Sequence, residues 1–289
     1  MLSKQYIQKC SLVALLLTCY LFSAFALKEY MKNKPFVEKL GYIPSVGSMK
    51  VMVAEHKRFL SASLMMKVQI YFGSLIEKSP NKLQVPADYP AMSRTIDAAL
   101  KLDPYNMDCY YFAQAILAWD VGKADLANIF LENGMKYRDW DWQLPYFAGF
   151  NYAYFLHDYD RAAYYYQRAA RLSGQAMFMT LAGRYMYDAG RTEMAIAYLN
   201  SMIRSTNNQA VKNTLTVRRN AFVEVRRVEV AANNYKQVKG ILPKSIEDLL
   251  HTGFIQERPQ DPYGGVFFID SNGKVKSTSG FAFAPGSQR

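Results

Sequence analysis

Residues 156–169 read LHDYDRAAYYYQRA, and two other stretches line up with them: VGKADLANIFLENG (121–134) and DAGRTEMAIAYLNSM (188–202). Each opens on a short turn and then sets an alanine inside a helix. These alanines, Ala127, Ala162 and Ala195, stand 35 and 33 residues apart. One helical turn further on, on the same face, come Leu131, Tyr166 and Leu199. A fourth copy lies upstream in MSRTIDAALKLDP (92–104), with Met92 at the alanine position and Ile96 and Ala99 on its face. The small residue lets two helices approach closely, and the large one fills the gap to the next pair. One helix hairpin cannot bury its own apolar face, so such copies stack.

Each copy needs a partner helix before its turn. YNMDCYYFAQAILAWD (105–120), WQLPYFAGFNYAYFL (142–156) and QAMFMTLAGRYMYDA (175–189) supply them. Ala115 and Gly183 fall at the small-residue position of these first helices, where the middle copy has Phe150. After the last copy, residues 206–239 run without Pro or Gly as one long helix, expected to cap the open end of the stack.

The period and the paired small and large positions resemble the tetratricopeptide repeat over about residues 59–205. The resemblance implies an all-α, tetratricopeptide-like α-solenoid of about four degenerate hairpins. It also implies a concave groove lined by the first helix of each hairpin. The repeat frame then puts Trp119, Asn151, Tyr154, Arg184 and Tyr187 in that groove. Asn151 falls where peptide-binding repeats hold an asparagine against the ligand backbone. The lysine of a carboxylate clamp is replaced by Phe147, so an acidic C-terminus is not the expected ligand. The competing reading is that these aromatics touch only neighbouring helices.

The C-terminal region, 240–289, changes character. A short helix over 244–251, the turn Asp261-Pro262-Tyr263-Gly264-Gly265, and strands VFFID and KVKSTS predict a small α+β tail with a two-stranded hairpin. Leu242, Pro243, Leu249, Gly253, Pro259, Asp261, Pro262, Tyr263 and Gly264 resemble the C-terminal part of type II secretion major pseudopilins. Those proteins bind calcium further along. Here Asp270 is the one acid after Asp261, so no metal is carried over.

At the other end, residues 1–9 (MLSKQYIQK) are a basic start and residues 10–27 an apolar run without charge. Such a run is a signal anchor or a signal peptide. Its length favours an uncleaved anchor. Ala24-Phe25-Ala26 offers cleavage after Ala26, and Leu16-Leu17-Thr18-Cys19 is a third, lipobox-like reading. In each case the body, starting with a linker and the start of the first helix over 28–58, leaves the cytoplasm. An anchor, degenerate repeats and a DPYGG tail together resemble tetratricopeptide proteins in the envelopes of delta-group bacteria.

The net charge of +11 would suit nucleic acid or anionic lipid. Export argues against nucleic acid and for lipid head groups, an anionic polymer or a protein of the envelope. Arg218, Arg219, Arg226 and Arg227, two pairs eight residues apart, are the candidate basic patch. The alternative is a solvated face paired with Glu224 and Glu229.

Catalytic signals are weak. Three histidines, His56, His157 and His251, are scattered, and the cysteines, Cys10, Cys19 and Cys109, have no zinc spacing. Cys109 reads as a buried thiol, and Asp139 and Asp141, between two tryptophans, as a helix cap. No enzyme activity, cofactor or metal is expected. The expected function is an envelope scaffold that holds a protein partner. The alternative is a cell-wall or polysaccharide-binding module.

Overall fold

The computed structural model describes residues 4–32, 40–75 and 87–281. The chain divides into two compact units, Met1–Cys109 and Tyr110–Arg289. The fold is an all-α solenoid of helices packed in adjacent pairs, with a small hairpin at the C-terminal end.

In the first unit, α1 (Lys4–Lys32) is one unbroken helix. Its window Leu12–Glu29 is long and apolar enough to cross a membrane, and none of that window is buried. Next come α2 (Val46–Val53), α3 (Lys57–Leu75) and α4 (Tyr89–Leu102). Helix α2 lies within the stretch expected as linker and start of the first helix, and Ser45 caps it by accepting from the Ser48 N–H at 3.1 Å. Of the prolines between α3 and α4, Pro80 and Pro86 lie outside the described residues. Pro90 sits in the first turn of α4, where its missing N–H costs nothing. Asp88 caps that helix, and its own N–H donates to the Tyr71 hydroxyl of α3. Met92, Ile96 and Ala99 are buried as the repeat frame requires. Cys109 is fully buried beside Ser61, and burial pushes its thiol up to about 12.

The second unit takes in most of α5 (Met107–Gln114), which runs on into a π-helical turn, Ala115–Asp120. Then follow α6 (Ala124–Gly134), α7 (Gln143–Tyr154), α8 (Tyr159–Ser173), α9 (Ala176–Asp188), α10 (Thr192–Ser205) and α11 (Gln209–Lys239). Each of α6 to α11 packs on the next. Ala127, Ala162 and Ala195 are fully buried, and so are Leu131, Leu199 and, nearly so, Tyr166. The partner surfaces are glycines. A Cβ on Gly183 would lie 3.2 Å from the Leu199 side chain, and one on Gly149 would lie 3.2 Å from the Tyr166 ring. The small residue of α7 is thus Gly149, one position before the expected one, and Phe150 turns outward. Ala115 does not take the equivalent place. It is only half-buried and opens the π turn.

The long helix ends at Lys239 with Gly240 in the left-handed region. The tail folds back on it as α12 (Ile246–His251) and the antiparallel pair β1 (Phe267–Ile269) and β2 (Val275–Ser277). Ser245 and Asp248 form a capping box at the start of α12. Leu249, Phe267, Val275 and Phe281 share one core with Tyr187 of α9 and Phe222, Val225 and Val228 of α11.

The turn Asp261–Gly265 is held by one buried carboxylate. Asp261 accepts from the Tyr263 N–H at 2.9 Å through Oδ1, and from the Ser277 and Ser279 hydroxyls through Oδ2. Gly265 leaves the room, since a Cβ there would sit about 2.5–2.7 Å from Ser277, Ser279 and Asp261. Among the described residues no cluster of three or more acidic, histidine or cysteine side chains could hold a metal ion. The acid of the DPYGG turn is spent on hydrogen bonds.

Candidate functional site: an aromatic ledge on α5 and α7

Helix α7 shows why its outward side is unusual. Leu144, Ala148, Gly149, Asn151 and Tyr152 are buried. Phe147, Phe150 and Tyr154 recur at i, i+3 and i+7 on another face, a single stripe. Trp119, at the π turn that ends α5, lies against this stripe. Its ring centroid is 5.7 Å from that of Phe150 and 5.8 Å from that of Tyr154. Phe150 and Tyr154 are 5.4 Å apart, and all three ring planes lie within 30° of one another. Phe155 meets all three edge-on. Along the same face Tyr111 contacts Phe147 at 5.7 Å. Trp119 and Tyr154 nevertheless remain 56% and 58% exposed.

Two of the residues expected in the groove are therefore on this ledge, Trp119 and Tyr154. The others are elsewhere. Asn151 is fully buried; its amide donates to Asn128 Oδ1 at 2.9 Å, and its Oδ1 accepts from Gln114 at 3.3 Å. It ties α5, α6 and α7 together and cannot meet a ligand backbone. Tyr187 is buried as well. It stacks on Phe222, and its hydroxyl donates to the Val275 carbonyl of β2. Arg184 pairs with Asp188 at 3.7 Å, and Lys274 of the tail donates to the Asp188 carbonyl at 2.8 Å. The tail thus covers Tyr187 and reaches Asp188, while Arg184 stays 40% exposed.

The arginines of α11 do not form one patch. Eight residues carry a helix about 80° past two full turns, so the two pairs diverge. Arg218 is buried against the rings of Tyr263 and Phe222, and burial pulls its pKa down. Arg219 is half-buried. Arg226 pairs with Glu193 and Glu229, and Arg227 with Glu224 at 2.6 Å. The pairing expected as the alternative holds for these last two, with Glu193 added. Arg226, Glu193 and Glu229 line a cleft of about 290 Å³ beside Thr192, whose hydroxyl donates to Glu229 at 2.8 Å.

Asp141 stands one residue before the N-cap of α7, accepting from the Gln143 N–H at 2.9 Å and pairing with Arg138 at 2.7 Å. Trp142 packs on Phe178 of α9, while Trp140 is exposed under Arg138.

Asp188 and Glu229 lie where α9, α10 and α11 meet the tail. Burial raises both carboxyl pKa values, against the opposing pull of Lys274 and Arg184 on Asp188 and of Thr192 and Arg226 on Glu229. The native state therefore keeps these protons to higher pH than the unfolded chain does. Their favourable contribution is complete below the ordinary values of 3.8 and 4.5 and is lost as pH rises through the raised ones. Asp188→Asn should accordingly gain stability relative to the parent as pH climbs from about 4 to neutrality. Denaturant midpoints of the two proteins across that range check this; a constant difference contradicts it.

The sequence marks Phe147 at the clamp position and Phe150 at the small-residue position, but the repeat frame does not join them with Tyr111 and Phe155 into one ledge. The signal was available in the i, i+3, i+7 recurrence of aromatics on α7 opposite its small residues. No protein-family model matches this chain, and no curated protein matches it.

Proposed function

We propose that this chain is a non-catalytic scaffold of the bacterial envelope. Its hairpins are degenerate tetratricopeptide-type repeats, α1 is a signal anchor in the inner membrane, and the body lies on the periplasmic side. The ledge of Trp119, Phe150 and Tyr154 holds a segment of a protein partner, as in assembly of a secretion, pilus or transport complex. The observation that carries this reading is the exposure of so much clustered aromatic surface. Side chains that stack on one another and still face solvent are the usual anchors of an interface.

A photo-crosslinking residue at Tyr154 in living cells tests it. It should trap one or two envelope proteins. Trp119→Ala should lower that capture at least about tenfold, because truncating a central aromatic anchor costs roughly 2 kcal/mol or more of binding. Crosslinks that ignore Trp119→Ala would overturn the site. The near-parallel rings favour a second reading, a ledge on which sugar rings stack. In that case the chain binds purified cell wall stripped of protein, and Trp119→Ala abolishes it. Recovery of an N-terminus at Leu27 would replace the anchor with a free periplasmic protein.

A further inference from the structure

Helix α3 is apolar on two opposite sides. Leu64, Met65, Val68 and Tyr71 are buried on one. Opposite them Phe59, Met66 and Ile70 recur at i, i+7 and i+11, a solvent-facing stripe about 16 Å long. Phe59 is 75% exposed. Before it, Tyr42 and Val51 are 86% and 83% exposed. Between α2 and α3 a cleft of about 280 Å³ opens, lined by Pro44, Met49, Met52, Leu60 and Leu64, with Lys67 among its walls. A solvent-facing apolar stripe of this length marks a surface that something else covers. The first unit of a stack ordinarily turns a polar face outward, and this one does not.

Two observations identify what covers it. The first is charge. Residues 40–75 carry Lys50, Lys57, Arg58 and Lys67, all exposed, against one acid, Glu55. Exposed apolar residues interleaved with bases are the composition of segments that lie in an anionic membrane interface. The second is reach. α1 ends at Lys32 and the described chain resumes at Leu40. Eight residue steps span at most about 29 Å, so this face stays close to the membrane that α1 enters.

We infer that the α2–α3 face is a foot that rests on the anionic head-group surface of that membrane. Tyr42, Met52, Phe59, Met66 and Ile70 enter the boundary between head groups and acyl chains, and Lys50, Arg58 and Lys67 meet lipid phosphates. The foot rests on the anchor reading of α1, and the test separates the two.

The full chain, with Cys10 and Cys19 changed to serine, is placed in vesicles of phosphatidylglycerol and phosphatidylethanolamine. An environment-sensitive fluorophore is attached through Met52→Cys, Phe59→Cys or Met66→Cys, and through Lys101→Cys of α4, the helix packed on α3 in the same unit, as the control. Buried Cys109 stays unlabelled. Lipids carrying a spin label on the acyl chain should quench the three foot positions, at a depth of about 5–10 Å below the head groups, and spare the control. Replacing Lys50, Arg58 and Lys67 together with glutamate should abolish most of that quenching while the chain stays in the vesicles. Alkaline carbonate provides the separate readout of the anchor. A chain that resists extraction but is not quenched at the foot overturns the foot and leaves the anchor standing. A chain released by carbonate overturns both. Unquenched foot positions that instead crosslink copy to copy assign this face to a second copy of the chain.

Discussion

Asp261→Ala should detach the tail from the helical stack without unfolding the rest. The substitution removes the shared acceptor of the Tyr263 N–H and the Ser277 and Ser279 hydroxyls. Both Asp261 and Ser277 are buried, so the orphaned donors cannot simply turn to water. Each such donor costs about 1–3 kcal/mol, and hydrogen bonds to a charged acceptor lie at the upper end. A loss of about 3 kcal/mol is expected. Asp261→Asn, which keeps one carbonyl oxygen, should recover part of it. The loss is local, because neighbouring units of a stack open separately. Hydrogen exchange should show the amides of residues 263–279 losing protection while those of α7 and α8 keep theirs. Uniform loss across both regions would mean that the tail and the hairpins unfold as one body.

The second large effect is expected at Gly149. A Cβ there meets three atoms of the Tyr166 ring at 3.2–3.3 Å. That ring has nowhere to go, since Tyr185 stacks on it at 5.4 Å and Phe178 at 6.4 Å. Gly149→Ala pits a tight methyl contact against roughly 1 kcal/mol of gained helix propensity, and the two nearly cancel. Gly149→Leu adds a branched side chain where even the methyl is crowded. It should cost about 3 kcal/mol or more, the upper range for overpacking. Thermal unfolding should show a drop of about 6–12 °C for the leucine variant and little change for alanine. A leucine variant as stable as the parent would mean that α7 and α8 are not packed through this glycine.

The second helices of the hairpins were legible because one small and one large residue return at a nearly constant period. Ala127, Ala162, Ala195 and their partners are buried as that period requires. The first helices were less legible, for two physical reasons. The π turn after Gln114 breaks the 3.6-residue phase that sequence counting relies on. In α7 the glycine stands one position early, and a one-residue error turns a helix by about 100°. That error put Asn151 on the ledge when it lies in the core, and hid Phe150. Tyr187 and Arg218 were misplaced for a different reason. Their surroundings are made by a tail far along the chain, and no local pattern reports where a distant segment will dock.

That docking has a consequence for the order in which the molecule is completed. Most contacts here join neighbours in sequence, so hairpins can form as the polypeptide is synthesised from its N-terminus. The far end differs. The Tyr187 hydroxyl waits for a carbonyl 88 residues downstream, and Phe222 waits for Phe281. Until that segment docks, the Tyr187 and Phe222 rings lack the cover that Phe281 gives them. Docking of the hairpin covers these rings, so this end of the helical stack is finished by contacts distant in sequence, whereas the hairpins before it are finished by their neighbours.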